Sequence, residues 1–122
     1  MVTNIQKHVE SLFAMKGDHF LNIEARGGQD VFQVTKLEKS GKVTLTTLIM
    51  FPFEESEEKT FSIAGIKLPA GCKVADFEKG DHVAFDATGS DATTIAVFAD
   101  TIFTRLMKSR PTDFRVDPDA KQ

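Results

Sequence analysis

The sequence predicts a single α+β domain: an N-terminal helix, an antiparallel β-meander with additional short strands, and a long C-terminal helix packed on the sheet. Three observations carry this prediction. Residues 90–110 place apolar side chains at helical spacing, residues 18–53 alternate at period two between glycine-bearing turns, and 122 residues give room for one core. The domain therefore spans 1–122, with part of 113–122 expected to fray.

Residues 3–16 set Ile5, Val9, Leu12 and Phe13 on one side of a helix, with Thr3 as its cap and Gly17 as its end. From Asp18 the period changes to two. Leu21, Ile23 and Ala25 alternate with Phe20, Asn22 and Glu24, and Arg26 to Gln29 make a turn. Val31 to Glu38 is a second strand of less clear sidedness, and Ser40-Gly41 turns the chain tightly into a third run, Lys42 to Phe53. That run places Val43, Leu45, Thr47, Ile49 and Phe51 on one face and Thr44, Thr46, Leu48 and Met50 on the other. Its second half is apolar on both faces, so it needs cover from another segment or from another chain.

Residues 54–70 support two readings, a strand resuming through Phe61, Ile63, Ile66 and Leu68, or a short helix from Glu55 to Ile66. Residues 72–80 read as a connection that lays Phe77 on the core, and His82 to Asp86 as a short strand with Val83 and Phe85 on one face. In the helix from Ser90 to Arg110, Phe98, Ile102, Ile95, Leu106, Ala99 and Phe103 fall within an arc of roughly 140°. Ser90 and Asp91 suit its start, and Pro111 stops it. Asp113 to Val116 forms a brief edge strand.

Composition excludes several function classes. The formal net charge is −3 and no two Lys or Arg residues are adjacent, which argues against phosphate-driven binding of nucleic acid. No run approaches the roughly 18 apolar residues of a membrane span, and charged residues interrupt the first sixteen positions where a secretory signal needs an apolar run. With one cysteine and no internal disulfide, the expected location is the cytoplasm. Eleven Phe with no Trp or Tyr predict an apolar, dry core.

No motif of nucleophilic catalysis is present. Cys72 is followed by Lys73, a cation able to lower a thiol pKa, yet it has no second cysteine and reads as a packing residue. His8, His19 and His82 lie in different elements at no ligand spacing, and Gly27-Gly28 is a turn without the spaced glycines of a nucleotide site. The acidic run from Glu54 to Glu58 lacks the pattern of a cation loop and reads as a solvated turn or helix end. No cofactor or metal is expected.

The order of elements is similar to the helix–sheet–helix fold of type III secretion chaperones and the related YbjN-like (TY-Chap) domains. Phe20 to Glu24 resembles that family's first strand, Phe32-Gln33-Val34 its second, and Ile95 through Leu106 its closing helix. The third strand is longer than the family's, and the acidic stretch stands where the family has a helix. The resemblance implies a non-enzymatic protein that binds other polypeptides, usually as a homodimer. The two-sided apolar end of the third run, Leu48, Met50 and Phe53, with Glu54 and Glu55 beside it, is the expected partner-binding surface. The competing expectation is a small-molecule-binding domain or small enzyme, with a Phe-lined pocket between helix and sheet and His19, His82, Asp86 and Cys72 as its polar groups.

Overall fold

A computed structural model describes residues 2–117. The described chain runs α1 (Val2–Ala14), β1 (His19–Ala25), β2 (Asp30–Lys39), β3 (Lys42–Met50), α2 (Glu57–Ala64), β4 (Lys73–Glu78), β5 (His82–Asp86), α3 (Ala92–Thr101) and β6 (Asp113–Asp117). The strands form one six-stranded sheet of order β4-β5-β3-β2-β1-β6, and every neighbouring pair is antiparallel. The expected α+β class and meander are observed. No helix among the described residues is long and apolar enough to cross a membrane.

Period-two alternation decides which face of the sheet is buried. Leu21, Ile23 and Ala25 of β1, Phe32 and Val34 of β2, Leu45 and Ile49 of β3, and Val83 and Phe85 of β5 all point to the helices. The sidedness of β2, unclear in the sequence, is strict in the fold: even positions from Asp30 to Lys36 are buried. α1 packs against α3 on this face, and Phe32, Phe61, Phe85 and Phe98 meet there with ring centroids 5.7–6.4 Å apart. Most of these contacts are edge-to-face, the arrangement that ring quadrupoles favour.

The core is less dry than the composition predicts. Lys36 continues the buried side of β2 at only 2% exposure, and its ammonium donates to the Met15 carbonyl just beyond α1 and to Glu38 Oε1 at 3.2 Å. A cation there complements the negative end of the helix dipole and supplies an orphan carbonyl with a donor. Helix α1 begins at Val2, so Thr3 lies inside it and is not its cap.

Three boundaries differ from the sequence reading for identifiable reasons. Strand β3 ends at Met50, because Pro52 has no N–H to give a ladder. Phe51 N donates to Asp81 O, Phe53 N to Phe51 O and Gly80 N to Phe53 O, which bends the chain inward and buries Phe53. Residues 57–64 are helical: the Ser56 hydroxyl accepts from Lys59 N, and Gly65, at φ 70°, closes the helix with Ile66 N donating back to Phe61 O. Residues 73–78 are an edge strand, not a connection. A bulge between Val74 and Asp76 lets both Val74 and Phe77 face the helix side, which hides the alternation from the sequence.

The closing helix also departs from expectation. Ordinary α-geometry, capped by Asp91 accepting from Thr94 N at 2.8 Å, lasts only to Thr101, and Ile102–Met107 is π-helical. The wider turn advances the buried stripe by one residue, so Met107 is buried and Leu106 only half-buried. Thr101 and Thr104 donate their hydroxyls back to the Val97 and Asp100 carbonyls at this junction, and such bonds compete with the regular ladder. The expected edge strand after Pro111 is present as β6, and residues 118–122 of the expected frayed tail lie outside the described residues.

Candidate functional site

The face of the sheet opposite the helices carries two rows of paired residues across its centre. One row runs Val31, Met50, His82, and the next runs Gln33, Leu48, Ala84. The tight turn at Ser40-Gly41, both at positive φ, sets this register by pairing Lys39 with Lys42. Among the described residues none is fully buried on this face, and Met50 is 40% exposed.

The two halves of the face differ chemically. Over β1 and β6, Gln33 Nε2 donates to Asn22 Oδ1 at 2.9 Å, Asn22 Nδ2 to Glu24 Oε2 at 3.3 Å, and Arg115 reaches the same carboxylate at 3.5 Å. Over β3, β5 and the end of β2, Val31, Leu48, Met50 and Ala84 make an apolar patch with no such network among the described residues. His82 closes its far side. Its Nδ1 lies 2.5 Å from Asp81 Oδ2 and its Nε2 2.9 Å from Asp76 Oδ2. The Asp76 contact, then the Asp81 contact, raise the imidazole pKa above its ordinary value.

The five residues expected to bind a partner therefore divide. Leu48 and Met50 lie on the open face, uncovered by any described segment. Phe53 does not face a partner there, because at 1% exposure it belongs to the core, with its ring 5.2 Å from Phe51 and 5.7 Å from Phe77. Glu54 and Glu55 stand round the corner, on the rim of a cleft of about 900 Å³ floored by Phe51, Pro52, Phe53 and Leu106 and walled by Ile63 of α2. The sequence reading missed Val31 and Ala84, although the two-residue turn after Lys39 dictates that Val31 faces Met50. It placed Leu106 in the core, and its strand reading set Ile63 on one face with Phe61, whereas the helix buries Phe61 and leaves Ile63 exposed.

The polar groups of the competing expectation do not converge. His19 Nε2 donates to the Lys16 carbonyl at 2.7 Å at the start of β1, while His82 and Asp86 belong to the open face of β5. Cys72 is buried, with Sγ 3.9 Å from Ser90 Oγ, and burial pushes its thiol pKa up, so Lys73 does not activate it. His8 stacks on Phe114 with centroids 4.3 Å apart. Among the described residues no group of three His, Cys, Asp or Glu side chains is arranged to hold a metal ion. A Phe-bearing cleft of about 520 Å³ exists between α2 and the sheet, lined by Phe61, Ile66, Leu68, Val74 and Phe85, but none of the four polar groups lines it.

Fold and surface together define a two-layer α+β domain with helices on one side of an antiparallel sheet and, on the other, a half-apolar face that no described element covers. No family model, no curated protein and no solved structure matches this chain.

Proposed function

We propose that this protein is a non-catalytic polypeptide-binding module of chaperone-like character, whose contact surface is the open face of the sheet and whose first occupant is a second copy of the chain. The observation that carries the reading is the apolar patch of Val31, Leu48, Met50 and Ala84 on a face that no described element covers. An isologous contact suits such a patch, since a two-fold axis through it sets each apolar residue against a copy of the same surface. The resemblance to secretion chaperones supports the same reading.

Met50→Glu tests it. The substitution places a charge at a position that is already 40% exposed, so far-UV circular dichroism should be unchanged while the mass measured by light scattering falls from dimer to monomer. A wild-type protein that is monomeric, or a variant that keeps its mass, removes the second copy as the occupant. The cleft between α2 and the sheet favours a second reading, binding of a small apolar molecule, because its size falls in the range of ligand sites. Saturable binding of an apolar fluorescent probe, lost in Leu68→Glu, a change at an exposed residue of the lining, with the fold retained, would establish that reading instead.

A further inference from the structure

We propose that the cleft on the other side of α2, between Ile63 and Leu106, receives a basic amphipathic segment of a different polypeptide, whose cations face Glu54 and Glu55. The inference rests on the polypeptide-binding reading and assigns a second surface with its own class of partner. Ile63 is 77% exposed, the most exposed large apolar side chain described, although its helix buries Phe61 on the opposite side. It stands over a floor of Phe51, Pro52 and Leu106, and the cleft of about 900 Å³ has room for several large side chains.

Charge selects the occupant. Glu54 and Glu55 stand on the lining of this cleft, and Glu57 and Glu58, which line the cleft on the other side of α2, add to the negative field at the start of the helix. Among the described residues only Glu55 of the four has an ion partner, Lys59 at 3.6 Å, both well exposed. Among the described residues Lys79 is the single cation on the lining of the cleft. An acidic rim around an apolar floor attracts a segment that carries Lys or Arg beside apolar residues, and repels an acidic one. A second copy of this chain fits less well, because its net charge is −3.

Two fluorescently labelled amphipathic peptides of about 14 residues, some 21 Å long as helices, test this. They share one apolar face of Leu and differ only in carrying Lys or Glu on the other. By fluorescence anisotropy the Lys peptide should bind about ten-fold tighter than the Glu peptide, and the difference should shrink as salt screens the rim. Ile63→Arg should abolish binding, and the double variant Glu54→Lys, Glu55→Lys should reverse the preference. Equal binding of both peptides, no binding of either, or binding that survives Ile63→Arg with the fold retained overturns the proposal. Light scattering separates it from the dimer reading. Ile63→Arg should leave the dimer intact, and Met50→Glu should leave peptide binding intact.

Discussion

His82 is the residue whose chemistry is most tightly tied to its place in the fold. It bridges Asp76 of edge strand β4 and Asp81 of the following turn, so its protonated form joins the edge to the body of the sheet. The contacts raise its pKa in the folded state, led by Asp76. A group whose folded pKa exceeds its unfolded value, about 6.5 for His, adds stability that is full below the unfolded value and is lost as pH rises through the folded one. Asp76 is shifted the other way: its hydrogen bond to His82 lowers its pKa, so its share is lost as pH falls through that depressed value. The bridge is therefore strongest between the two. By proton NMR, the His82 ring should titrate above 6.5 and Asp76→Asn should move the midpoint down. A midpoint unaffected by Asp76→Asn would show that the bridge does not form in solution. Lys36 is a second residue with a tertiary duty, holding the end of α1, and nothing in the alternation of β2 distinguishes it from a solvated lysine.

At the scale of elements, the closing helix shows how one extra residue in a turn relocates a surface. Its start and the burial of Ile95, Phe98, Ile102 and Phe103 are legible in the sequence, because they follow from period and capping, but its end is not: expected at Arg110 before Pro111, it comes at Met107, where Lys108 takes a left-handed conformation. The exchange of Leu106 for Met107 is not legible either, since a π-turn has no strong local signature. Met107→Ala should cost about 2–5 kcal/mol, the range for truncating a buried side chain, whereas Leu106→Ala should cost clearly less. Urea unfolding of both variants checks this, and a larger loss for Leu106→Ala would restore regular α-geometry to the last turns. Helix α2 illustrates the opposite case. Ser56 and Gly65 are ordinary cap residues with local hydrogen bonds, yet the alternation of Phe61 and Ile63 reads equally as strand. The ambiguity ends only when Phe61 packs against Phe85 and Phe98 while Ile63 is left outside.

Across the whole molecule, one sheet separates a filled side from an open one, and adjacent residues of β3 report on both. Ile49 is fully buried beneath the helices and Met50 faces outward. Ile49→Ala should therefore destabilise the fold by about 2–5 kcal/mol, while Met50→Glu should change the stability of the fold itself by less than about 1 kcal/mol. Thermal melts at low protein concentration, where association contributes least, distinguish the two, and comparable losses would mean that the second face is covered. The sequence by itself determined the class of fold, the order of the first three strands, the buried set of β1 and the place of Leu48 and Met50 on the face away from Ile49. All of these follow from periods and turns that act over a few residues. Only the tertiary structure decided that Phe53 turns into the core, that Lys73–Glu78 pairs as an edge strand, that Lys36 is buried and that Glu54 and Glu55 rim a cleft with Ile63. Each of those depends on partners distant in the chain: the Asp81 and Gly80 backbone for Phe53, β5 for the edge strand, the Met15 carbonyl for Lys36, and Leu106 for the cleft.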